Sequence, residues 1–127
     1  MISFKNIFIQ KNILTIYVRG VLKSRKDLEQ YLKMTLQACD VSLSSLLLLN
    51  EQKLDNQLDL LVNFDFADWL SESNLLERFI KIAVVSAPKD LDSNRDFANF
   101  LANRGVKFKV FLEENEAIAW LKKDRNT

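Results

Sequence analysis

Residues 80–85 and 106–112 read as buried strands, and each is followed by a capped, amphipathic helix. Strand-helix-strand-helix in that order requires a sheet with helices packed on it, because each element must bury an apolar face against another layer. The first of these strands places Ile80, Ile82, Val84 and Val85 inside, and Pro88 lies just past its end, where a missing N–H does no harm. Asp92 or Ser93 is expected to cap the next helix, which bears Phe97, Phe100 and Leu101, and Gly105 to close it. Lys107, Phe108, Lys109, Val110 and Phe111 alternate as a strand with one wetter face near the sheet edge should. In the last helix Glu113, Glu114 and Glu116 complement the positive end and Lys122 and Lys123 the negative end. Its packing surface is Ala117, Ile118, Trp120 and Leu121.

Upstream, residues 4–9 and 13–18 are rich in β-branched and aromatic side chains. Gln10, Lys11 and Asn12 suit a tight turn between them, with Asn12 able to take a positive φ, so an antiparallel hairpin ending at Gly20 is expected. Ser24 and Asp27 form a capping box for a helix whose stripe is Leu28, Tyr31, Leu32, Leu36 and Cys39. Residues 45–49 have the continuous apolar character of a strand covered on both faces, and residues 50–53 read as a polar loop leaving it. A further helix is expected from about Asp55 to Ser71, with Leu58, Leu61, Val62, Phe66, Trp69 and Leu70 as its stripe. Asp65 is the anomaly in it. Seven residues after Leu58, it falls about 20° from that side chain and so inside the apolar face. Either the helix breaks near Phe64, or Asp65 caps a following turn, or a polar group points into a cleft.

Composition excludes several chemistries. The chain has 127 residues, the length of one domain spanning 1–127, with no histidine and one cysteine. Without an imidazole, Ser-His-Asp and Cys-His nucleophile systems cannot be built, and ordinary zinc sites lack their ligands. Eighteen basic against 17 acidic side chains leave none of the cationic surplus that nucleic acid demands. No apolar run approaches the roughly 20 residues of a membrane span, and no signal peptide is legible. Cys39, alone and on an apolar stripe, fits a buried thiol in a reducing compartment, so a cytoplasmic protein is expected.

Specific residues add a resemblance. Val110-Phe111-Leu112 followed by Glu116-Ala117-Ile118-Ala119-Trp120-Leu121 resembles the "VF…eeA.aWL" close of the SpoIIAA-like proteins, and Ile82-Ala83-Val84-Val85 resembles their "iAvV" strand. Gly20, with Ser24 and Asp27 opening the first helix, also fits. These proteins belong to the wider STAS/Sec14-like group, the sulfate-transporter and anti-sigma-factor-antagonist domains and their lipid-carrying relatives. The resemblance implies an α/β fold, a mixed five-stranded sheet flanked by four helices, and binding or regulation in place of catalysis. Anti-sigma-factor antagonists carry a phosphorylatable serine in an Asp-Ser-Ser-Gly-like turn. Here that place reads Asn50-Glu51-Gln52-Lys53-Leu54-Asp55, so the phosphorylation switch does not carry over.

Three functions follow as expectations. The first is a non-enzymatic, cofactor-free module that binds a protein partner or small ligand at the loops after the strands. Its candidate residues are Asn50, Glu51, Asp55, Asp65, Ser86 and Lys89, with Ser86 and Lys89 suited to a polar or anionic group. The second is a Sec14-like domain for an apolar ligand or lipid, with Phe64, Phe66, Trp69, Phe97 and Phe100 available to line a pocket. The third is a small enzyme using the carboxylates Asp65, Asp68 and Glu72, which fall on neighbouring helical positions able to hold Mg²⁺. The lysine-bearing strand at 107–112 leaves a homodimer through its edge open.

Overall fold

A computed structural model describes residues 2–73 and 75–123. Strands β1 (Ile2–Gln10) and β2 (Ile13–Leu22) form the expected antiparallel hairpin. Both Lys11 and Asn12 have positive φ, 52° and 68°, the pairing that matches a two-residue turn to right-handed strand twist. Asn12 also holds the start of the next strand, its Oδ1 accepting from the Ser45 N–H at 3.0 Å. The hairpin does not end at Gly20. With φ of 115° that glycine stays inside β2, which runs on to Leu22.

That extension has a consequence for β3 (Leu46–Asn56). Residues 50–56, expected as a loop and a helix start, continue as strand, because Arg19–Leu22 of β2 offers them a parallel ladder. Leu54 is buried on it, at 3% exposure, between polar neighbours. β4 (Lys81–Ser86) and β5 (Phe108–Phe111) complete a five-stranded sheet in the order β1-β2-β3-β4-β5, parallel from β2 onward. β5 lies at its edge, as the lysine alternation predicts. Ile80 is not inside the sheet. It is 61% exposed, because a 3₁₀ turn at Leu75–Arg78 delivers the chain to β4 only at Lys81.

One face of the sheet carries α1 (Arg25–Ser42), α2 (Leu60–Glu72) and α3 (Leu91–Ala102). α1 begins at its capping box: the Ser24 hydroxyl accepts from the Asp27 N–H, and the Asp27 carboxylate accepts from the Lys23 N–H. α2 starts five residues later than expected, where the Asp59 carboxylate accepts from the Val62 N–H at 2.9 Å. The shift rotates the buried face to Asn63, Phe66, Ala67 and Leu70, leaving Leu61 80% exposed and Trp69 outside the core. α3 is not capped by Asp92 or Ser93. A 3₁₀ turn at Pro88–Asp90 runs straight into it, with Asp90 as the cap residue. Gly105, φ 86°, closes it as expected.

The other face carries α4 (Glu114–Lys122), whose Ala117 and Leu121 pack on Ile13, Leu46, Leu48, Ala83 and Val85. Buried Lys81 secures its end: the ammonium donates to the carbonyls of Trp120 (2.7 Å) and Lys123 (2.6 Å) and lies 4.9 Å from the Trp120 ring centre. Among the described residues no helix is long and apolar enough to cross a membrane.

Candidate functional site

Between the sheet and α1–α3 the packing leaves a cavity of about 110 Å³. Its walls are mostly aliphatic and aromatic. Leu28 and Tyr31 reach it from α1, Leu49 from β3, Phe66 and Leu70 from α2, and Phe97 from α3. The alternation along β3 sets this up: Leu47, Leu49 and Glu51 share the face that Leu54 rejoins after a bulge. Glu51 therefore points its carboxylate toward the helices. It is the register partner of Ser86 on β4, at the carboxyl end of the parallel strands.

The Tyr31 hydroxyl donates to Glu51 Oε2 at 2.5 Å. Burial pushes the Glu51 carboxyl up to about 7 from its ordinary 4.5; the Tyr31 bond pulls it back, and the negative charge of Asp90 adds to the rise. Burial, then the Glu51 charge and hydrogen bond, holds the Tyr31 phenol well above its ordinary 10. Near neutral pH the pair thus alternates between a neutral acid and a carboxylate bound by a phenol.

Three other polar walls each make a side-chain hydrogen bond within the protein. Thr35 donates to the Tyr31 carbonyl at 2.9 Å, the Asn56 Oδ1 accepts from the Leu58 N–H, and Asn94 donates to Ser86 Oγ at 2.8 Å. Asn63 is 8% exposed and lines the cavity; its side-chain amide has no hydrogen-bond partner among the described residues but keeps some accessible surface, the fully enclosed polar atoms without a hydrogen bond being Arg25 Nε and Ser44 Oγ. The amide is therefore open to a hydrogen bond from within the cavity.

The six residues singled out in the sequence divide. Glu51, Asp55, Ser86 and Lys89 come together at the strand ends; Lys89 bridges Asp55 at 2.6 Å and Asp90 at 3.3 Å, so its charge is already matched. Ser86 is fully buried and its hydroxyl saturated, donating to the Ala87 carbonyl and accepting from Asn94. Asn50 lies on the opposite face, where it donates to Glu114 at 3.0 Å. Asp65 neither breaks the helix, caps a turn nor points into a cleft: it is exposed in mid-α2 and pairs with Arg25 at 2.5 Å. Asp68 pairs with Arg104, so these carboxylates form a solvated, ion-paired face. Cys39 is buried, with its thiol pushed up to about 11 by burial.

Tyr31 and Asn63 are the cavity groups least visible in sequence. On the helix stripe Tyr31 reads as bulk, although a buried phenol needs a partner. Asn63 lies three residues before Phe66 and seven before Leu70, a spacing that puts it on the buried face once Asp59 is taken as the cap.

Comparison with known proteins agrees with this architecture. The SpoIIAA-like family model matches residues 13–122. An uncharacterized protein of the DUF3478 family with a SpoIIAA-like fold, from Shewanella loihica PV-4, superposes with a TM-score of 0.57 at 21% identity, over 94% of this chain and 93% of that one. No curated protein matches the chain in sequence. With the match running from the second strand to the final helix, this α/β chain belongs to the SpoIIAA-like family.

Proposed function

We propose that the protein is a non-catalytic binding module for a small, largely apolar molecule that carries one carbonyl or amide end. The observation that carries this reading is that the Asn63 amide, without a protein partner, lines the same mostly aliphatic and aromatic cavity as the Tyr31–Glu51 pair. Apolar walls supply affinity and a few convergent polar groups fix orientation, as in most small-molecule sites. Neutral Glu51 can donate to a carbonyl that also accepts from Asn63 Nδ2. A volume of about 110 Å³ suits a short chain or small ring, well below the roughly 300 Å³ and upward of drug-sized sites.

Of the readings open to the sequence, the apolar-ligand one gains most from this geometry. The strand-end rim gains less, because Lys89 and Ser86 are engaged within the protein. Titration with hexanamide, followed by thermal shift at pH 6, tests the proposal. Saturable stabilisation that Asn63→Leu abolishes supports it; no stabilisation of the wild type at any concentration up to hexanamide's solubility contradicts it.

A further inference from the structure

On the face of the sheet away from this cavity, β1, β2 and β3 enclose a second cleft, of about 250 Å³. Its origin is two β-bulges at one level of β2. In the β1–β2 ladder the register slips between Phe4 and Asn6, so Lys5 is the extra residue opposite the Tyr17–Val18 step. In the β2–β3 ladder Tyr17 faces Asn50 and Arg19 faces Lys53, so Glu51 and Gln52 together oppose Val18. Bulges bend a strand and re-aim its side chains. Two of them flanking Val18 hollow the sheet there and turn Lys5, Arg19 and Lys53 into the hollow.

The cations there have no ion-pair partner among the described residues, although the Glu114 carboxylate lies behind the floor. Arg19 and Lys53 are direct register partners, a like-charge juxtaposition that destabilises a sheet. Among the described residues none of Lys5, Arg19 and Lys53 takes part in an ion pair, and no acidic side chain lines the cleft. The floor is fixed and spent: Tyr17 and Asn50 donate to Glu114, and Gln52 donates to the Leu112 carbonyl. Only the three cations and Asn6 remain to meet a ligand. We infer that this cleft binds a phosphate monoester of a small molecule, its dianionic head held by Lys5, Arg19 and Lys53. The guanidinium fork of Arg19 matches phosphate oxygens bidentately, and two lysines beside it suit a double charge. The volume leaves room for a small organic group beyond the head.

The test is an NMR titration of the full chain with glycerol 3-phosphate at ionic strength held constant with sodium chloride. Saturable shifts at the amides of residues 5, 17–19 and 50–53 are expected, with Arg19→Gln weakening binding about tenfold. Lys26→Gln, an exposed cation on α1, should leave it unchanged. Equal loss in both variants, equal binding of succinate, or the absence of saturable shifts would overturn the inference. A second readout is independent of any ligand: in phosphate-free buffer Lys53→Gln should raise the melting temperature by relieving its repulsion with Arg19. A fall would contradict the repulsion between Arg19 and Lys53 on which the site rests.

Discussion

The hydroxyl of Tyr31 on α1 donates to the carboxylate of Glu51 on β3 at 2.5 Å, joining a helix to the sheet at the wall of the apolar cavity. Neither group has this role by itself. A buried carboxylate without a donor would be costly, and a buried phenol without an acceptor would be wasted.

Tyr31→Phe should therefore destabilise more at pH 8 than at pH 5. At the higher pH Glu51 is ionised and loses a charge-assisted bond, costing about 1.5–3 kcal/mol; at the lower pH a neutral bond is lost, costing about 1 kcal/mol. Urea unfolding at the two pH values measures the difference. Equal losses would show that Glu51 does not change charge between them.

The pH dependence of the wild type follows from the same carboxyl. Its folded value of about 7 exceeds the ordinary 4.5, so between those values the folded state holds a proton the unfolded state has released. Stability from this group is complete below pH 4.5 and falls as pH rises through 7. Glu51→Gln should remove that slope and stabilise the protein at pH 8 by roughly 3 kcal/mol. Asp27 and Asp55 act in the opposite sense and in another window. Held below their ordinary 3.8, chiefly by the Lys23 N–H and the Lys89 ammonium respectively, they contribute stability that disappears only in strong acid. Denaturation curves from pH 4 to 8 isolate the Glu51 contribution.

Asn63→Leu should raise the stability of the ligand-free protein by up to about 1 kcal/mol, since it replaces an amide without a protein partner by an apolar group of similar size. Calorimetry checks this. A loss of several kcal/mol would mean that the amide has a structural partner.

Asp65→Asn should change stability by less than about 1 kcal/mol, because its pair with Arg25 is exposed. Hexanamide affinity should be unaltered. A tenfold loss would place Asp65 in the site after all.

How far the sequence discloses this molecule depends on whether a signal is local. Capping residues, turn residues and alternating strands are local, so the hairpin, α1, the C-terminal helix and the order of elements were all legible. The continuation of β3 was not. Its polar residues 50–53 look like a loop, and only the ladder offered by Arg19–Leu22, some thirty positions earlier, keeps them extended. Helix α2 turned on one residue: starting it near Asp55 puts Asp65 inside, whereas the cap at Asp59 puts Asn63 inside and Asp65 out. Of the candidate site, Glu51 was named from its place at a strand end. Its inward direction depends on the parity of β3, and its partner Tyr31 lies on another element.

The central claim, that the cavity walled by α1–α3 takes an apolar ligand whose polar end meets Asn63 and Glu51, is tested most directly by intermolecular NOEs to hexanamide in methyl-labelled protein. NOEs from the hexanamide chain to the methyls of Leu49, Leu70 and Val84 are expected, together with a shift of the Asn63 side-chain amide. NOEs confined to exposed methyls such as those of Leu61 or Val41, with the Asn63 amide unmoved, would contradict it.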